Sequence, residues 1–257
     1  MTTETNERII KSKKRVQKHG EVFTPHKIID LMLELPSIKE CCEDLNATFL
    51  EPSAGEGAFL VEILKRKLQM VSENYNDDLV QYENYSLFAL STLYGIELLE
   101  DNAQICVMNI FKAFDEMYRI QAFKHGKNLK KNVQDSAMTI ISQNIAQGNF
   151  LTRLASNGEP LVFSEWKPVL LKKGQKVIKV NRTEYTLDEI FNQTIKDLGT
   201  SSGYTYPIIE EQLNIFDLAD IEDDESEEAK EKEKEMRYIT VKISEVYKEE
   251  MEEIDEE

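Results

Sequence analysis

The 257-residue chain is 41% hydrophobic and carries a formal net charge of −17, enough chain for one substantial core with at most a small second lobe, and too acidic for a protein that simply coats DNA. No apolar run reaches membrane-spanning length, and the N-terminus "MTTETNERIIKSKKRVQKHG" lacks the apolar stretch of a signal peptide. Cys41, Cys42 and Cys106 are odd in number and lack metal-ligand spacing, so incidental thiols in a reducing cytoplasm are expected, with no metal.

Residues 1–20 hold 6 bases and 2 acids and read as a flexible basic arm. In "FTPHKIIDLMLELP" Thr24 suits an N-cap and Pro25 the first helical position. Ile28, Ile29, Met32, Leu33 and Leu35 form an apolar face that Pro36 stops. "ATFLE" reads as a short buried strand, followed by a helix on Phe59, Leu60, Ile63, Leu64 and Leu68. After a polar loop and a second helical stretch, "LYGIE" is another strand, "LLEDNAQICVMNIFKAFDEMY" a long helix, and "NIAQGNFL" a third strand. That alternation predicts an α/β fold, a mostly parallel sheet with helices on both faces.

Beyond it, "LVFSEWKPVLLKKGQKVIKVN" reads as strands around a Lys173-Gly174 turn. Thr186, Glu189 and Gly199 punctuate a helix over "TLDEIFNQTIKDLG". The stretch 153–200 is thus a hairpin-and-helix insertion in a domain spanning 21–216. From Asp217 to Glu257 there are 19 acids against 6 bases, net −13: an acidic tail, disordered or helical in part, with one strand-like segment at "MRYITVKISEVY". Lys172, Lys173, Lys176, Lys179 and Arg182 are dense enough to meet DNA phosphates, although a solvated hairpin surface explains them equally well.

The stretch "FLEPSAGEGAFL" carries the chemistry. A strand that ends on an acid and turns through Gly55 and Gly57 into a helix lets backbone approach a ligand and offers it unpaired N–H groups. A dinucleotide fingerprint would need a third glycine where Leu60 stands and an acid about 20 residues further on. The next strand-end acid is Glu97, which disfavours a nicotinamide dinucleotide.

Four blocks in order, "HGEVFTPHKIIDLML", "FLEPSAGEGAFL", "YGIELLEDNA" and "IAQGNFL", resemble the adenine-N6 DNA methyltransferases of restriction–modification systems over roughly residues 19–155. The resemblance implies a class I (Rossmann-like) methyltransferase fold and S-adenosylmethionine as cofactor. Phe23, Thr24 and Pro25 would line its methionine end. Glu51, Pro52, Ser53, Ala54, Gly55 and Gly57 would form the turn beneath it, with Glu51 near the amino group. Glu97 would accept from the ribose hydroxyls. Asn149, followed by Phe150, stands where the family usually has an acid beside the adenine amino group.

The same family holds its flipped target base with Asn/Asp/Ser-Pro-Pro-Tyr/Phe. None of the six prolines is adjacent to another, so that motif is absent and no catalytic residue is assigned. A target-recognition domain has no room after residue 217. The resemblance therefore implies an enzyme completed by a second methyltransferase chain or a restriction subunit, meeting double-stranded DNA only when complete. The other readings are a cofactor-binding regulatory subunit without chemistry and an acidic protein that imitates DNA.

Overall fold

The structure, a computed structural model, describes residues 10–172, 174–201 and 236–254. Its first element, α1 (Lys13–His19), starts under the Ser12 hydroxyl, which accepts from the Arg15 N–H. It ends at Gly20, whose left-handed backbone (φ 68°) returns an N–H to the Val16 carbonyl. Residues 12–20 are thus a capped helix where sequence reading expects a loose arm. Helix α2 (His26–Leu33) begins one residue later than expected: Pro25 occupies the cap position and Thr24 caps nothing. Pro36 does not merely stop α2 but opens α3 (Pro36–Glu43) at its first turn. The buried face of α2 is only Ile29 and Leu33, while Ile28, Met32 and Leu35 remain exposed.

The chain then builds β1 (Phe49–Glu51), α4 (Ala58–Asn74), α5 (Leu79–Leu90), β2 (Leu93–Glu97), α6 (Glu100–Lys124), α7 (Lys131–Asn144), β3 (Ile145–Asn149) and β4 (Leu154–Ala155). The sheet order is β1-β2-β3-β4, parallel across the first three strands and antiparallel at the last. Period-2 alternation divides its two faces. Leu93 and Ile145 join the main core with Leu60, Leu64, Cys106 and Ile141, and a Cβ on Gly95 would strike Leu60. Tyr94, Ile96 and Ala146 face the other way, into a smaller cluster with Leu161, Phe163 and Leu187.

That second face is not covered by helices in the way the alternation predicts. It is covered by the antiparallel hairpin β5 (Val162–Pro168) and β6 (Lys179–Thr186) with α8 (Leu187–Phe191). The capping box at Thr186 and Glu189 is present, yet α8 stops at Asn192, and Gln193 takes a positive φ of 53°. The helix is therefore one turn and a half, not a run to Gly199. Five residues cannot sustain a helix by propensity alone, and Leu187 is the one buried anchor.

The C-terminal segment is likewise not all solvated. β7 (Met236–Tyr238), β8 (Val241–Lys242), a 3₁₀ helix (Ile243–Lys248) and β9 (Met251–Glu253) fold back onto the domain. β8 pairs with β6, and Ile243 and Val246 enter the main core. Among residues 217–257, the acid-rich run 222–235 lies outside the described residues. No helix among the described residues is long and apolar enough to cross a membrane.

Candidate functional site

The three parallel strands end on one edge of the sheet, at Glu51, Glu97 and Asn149. Strand carboxyl ends are where open α/β sheets take ligands. The turn after β1 is held by backbone bonds, Ala54 N–H to the Ile96 carbonyl at 2.9 Å and Gly57 N–H to the Ala54 carbonyl at 2.8 Å. Gly55 (φ 55°) and Gly57 (φ 85°) both sit in the left-handed region. Gly57 is constrained twice, because a Cβ there would lie 2.8 Å from Cys106 Sγ. Gly55 is open where a side chain would begin, with only the Phe23 ring 4.0 Å away.

Glu97 is buried and tied to this turn. One oxygen accepts from Gly55 N–H at 2.8 Å, and the other from Leu99 N–H at 2.9 Å and Asn102 Nδ2 at 3.4 Å. Glu51 accepts from Ser53 N–H at 3.1 Å. Burial raises its carboxyl above the usual carboxylate range, against the lowering effect of that N–H. Asn149 turns its side-chain oxygen into its own loop, accepting from Leu151 N–H at 2.8 Å and Thr152 N–H at 3.4 Å.

Two cavities flank the turn. One, of about 450 Å³, is lined by Phe23, Thr24, Pro25, Glu51, Ser53, Ala54 and Gly55, with the first residues of α4. The other, of about 400 Å³, contains Phe23, Pro52, Ser53, Gly55, Glu97, Asn149 and Phe150. Both fall in the size range of small-molecule sites, and Phe23, Ser53 and Gly55 belong to both. Of the twelve residues singled out in the sequence for a cofactor, only Gly57 stands outside; it lies beneath the turn, against α6. The turn thus separates a cavity bordered by Glu51 from one bordered by Glu97.

Sequence reading misses Glu21 and Asn102, which also line the second cavity. The signal for Glu21 is the start-and-stop punctuation of α1, Ser12 before it and Gly20 after it, which places Glu21 directly behind an ordered helix. Asn102 carries no comparable signal, since it sits in the first turn of an ordinary amphipathic helix.

The basic cluster divides. Arg182 is buried: its guanidinium donates to Ser164 Oγ, Glu184 and Glu249 and packs on the rings of Trp166 and Tyr238. It is a structural arginine, not a phosphate contact. Lys176 pairs with Asp78, Lys172 and Lys179 are exposed, and Lys173 lies outside the described residues.

The fold and site thus define an α/β protein with a small-molecule cradle at its strand ends. A sequence model of the N-6 DNA methylases matches residues 6–147, and the chain belongs to this family of adenine-N6 DNA methyltransferases. No significant match is found among curated proteins or among solved structures.

Proposed function

We propose that this chain is the S-adenosylmethionine-binding part of a restriction–modification adenine methyltransferase with a class I, Rossmann-like core. A second methyltransferase chain or a restriction subunit would supply the base-holding loop and target recognition. The observation that carries the reading is the sorting of residues between the two cavities. Of those expected at the methionine end, Thr24, Pro25 and Glu51 line the first alone and Phe23 borders both; those expected at the nucleoside end, Glu97, Asn149 and Phe150, line the second alone. Glu51 would take the ammonium group, and Glu97 a ribose hydroxyl with the one acceptor site, on Oε2, left over from its three present bonds. The bound cofactor would supply a methyl group on a sulfonium centre. The side-chain oxygen of Asn149 is committed to two backbone N–H groups, so it is a poorer acceptor for an adenine amino group than a carboxylate would be.

The sheet supports the incomplete reading. β1 has β2 as its one neighbour among the described residues, and Leu50 is 43% exposed. A recess of about 420 Å³ beside it is lined by Leu50, Tyr94, Phe163, Tyr185 and Ile190. A strand of a second polypeptide laid on this edge would end beside Glu51 and Ser53, where the methyl group would be delivered. Outer strands of parallel sheets are normally covered.

Calorimetric titration of S-adenosylmethionine into the chain and its Glu97→Ala variant tests the cofactor assignment. Binding to the parent chain and a loss of about tenfold or more in the variant is expected, because removing the carboxylate takes away charge-assisted acceptors. Undetectable binding to the parent chain would reject it.

A further inference from the structure

The N-terminal segment that sequence reading leaves as a loose arm is fastened across the cradle. Lys11 Nζ reaches Glu56 in the glycine turn at 2.8 Å and Asp101 at 3.3 Å. Arg15 forks onto Asp101 at 2.9 and 3.0 Å and also pairs with Glu21. Between this strap and the cradle lies one side chain, Asn102, only 1% exposed. Its oxygen accepts from Lys11 Nζ at 2.6 Å and Arg15 at 3.4 Å, and its nitrogen donates to Glu21 at 2.9 Å and Glu97 at 3.4 Å. Every hydrogen-bonding position of the amide is used: two cations on one side, two carboxylates on the other. The cations and Glu21 belong to the strap; Glu97 belongs to the cradle.

We propose that Asn102 is a positioning residue that couples closure of the strap, Lys11 to Phe23, to the orientation of Glu97, so that the strap retains the cofactor. The coupling to ligand rests on the cofactor assignment above. Its physical basis is that the amide nitrogen holds Glu21 and Glu97 side by side, two carboxylates that would otherwise repel. When the strap leaves, it takes Glu21 and both cations with it, and Asn102 is left to Glu97 alone. His19 to Phe23 line the second cavity, so strap opening also removes one of its walls.

The test is a double-mutant cycle on the full chain, pairing Asn102→Leu with the strap variant Lys11→Ala/Arg15→Ala. Two readouts are used, the dissociation rate of S-adenosylmethionine and amide hydrogen exchange of residues 13–19 without ligand. Each variant is expected to speed dissociation about tenfold, the range of a lost charge-assisted hydrogen bond, and the combination no further, because both break the same latch. Exchange in α1 should rise in both. Added salt should speed dissociation from the parent chain but not from the strap variant, since Asp101 is half exposed and its pairs are screened. The strap variant changes two partly buried side chains that lie outside the hydrophobic core and keeps the test decisive if Asn102→Leu does not fold. Additive effects, or α1 exchange unmoved by Asn102→Leu, would overturn the coupling. A parent chain that binds no S-adenosylmethionine while α1 exchange still responds would overturn the cofactor assignment and the retention role, leaving only a structural latch.

Discussion

Gly57 is where side-chain size and backbone conformation meet most sharply. Gly57→Ala places a Cβ 2.8 Å from Cys106 Sγ and 3.3 Å from Cys106 Cα, on a backbone with φ +85°. A destabilisation of about 1–3 kcal/mol is expected from the backbone alone, read as a lowered urea midpoint. Adding Cys106→Ala should restore only part of it, because the close approach to the main chain of residue 106 and the backbone strain stay; full restoration would show that φ is not the constraint. Glu51 makes a prediction in the opposite direction. Its carboxyl is raised by burial, so relative to the unfolded chain its ionised form weakens folding. The stability it retains while protonated is lost as pH rises through the folded-state value. Glu51→Gln is therefore expected to stabilise the ligand-free chain at neutral pH and to change little below the ordinary carboxylate range. The same variant should weaken S-adenosylmethionine binding, since the ammonium loses its partner. A variant that is less stable at neutral pH would contradict the account.

Among the elements, the β5–β6 hairpin is held to the rest by an internal polar stack. Trp166 Nε1 donates to Asn144 Oδ1 at 3.1 Å, and the Asn144 amide donates to the Ser91 and Leu93 carbonyls at the start of β2. On the other side Arg182 binds Glu184 and Glu249, and the Tyr238 hydroxyl donates to Glu184 at 2.9 Å. Arg182→Ala would leave Glu184, itself 4% exposed, with a buried charge short of its cation, and a loss of about 3–5 kcal/mol is expected in denaturant titration. Limited proteolysis should then cut in 236–254, because Glu249 loses its tether. This arginine came from a run of bases that reads as a phosphate-binding surface. Strand alternation places Arg182 inward beside Val180, a fact visible only once the register Trp166↔Arg182 is known.

At the scale of the molecule, one core joins segments far apart in the chain. Ile243 and Val246 lie with Ile140, Ile141, Trp166 and Ile178, so the C-terminal segment belongs to the same cooperative unit as the sheet. Ile243→Ala should cost about 2–5 kcal/mol. Trp166 is the sole tryptophan, and its fluorescence and the far-ultraviolet dichroism should report one coincident transition in the parent chain. A separate early fluorescence transition would mean that the hairpin and C-terminal segment form an independent unit. In the described part of the acidic segment, Glu249 pairs with Arg182 and Glu252 with Arg237.

The sequence by itself determined the local chemistry of the cradle. Short-range signals suffice for that: two glycines that only a left-handed turn requires, an acid closing each of the first two strands, and helical periodicity after the turn. The three parallel strands and the capping box at Thr186 are legible for the same reason. The tertiary structure decided what depends on residues distant in the chain. It placed a hairpin rather than helices over the second sheet face, because Leu161, Phe163 and Leu187 fill the space above Tyr94, Ile96 and Ala146. It turned a charged N-terminal stretch into a fastened strap, because Asp101 and Asn102 stand opposite Lys11 and Arg15 across some 90 residues of chain. Ion pairing and burial between distant segments leave no periodicity in the sequence, and only the fold brings their partners together.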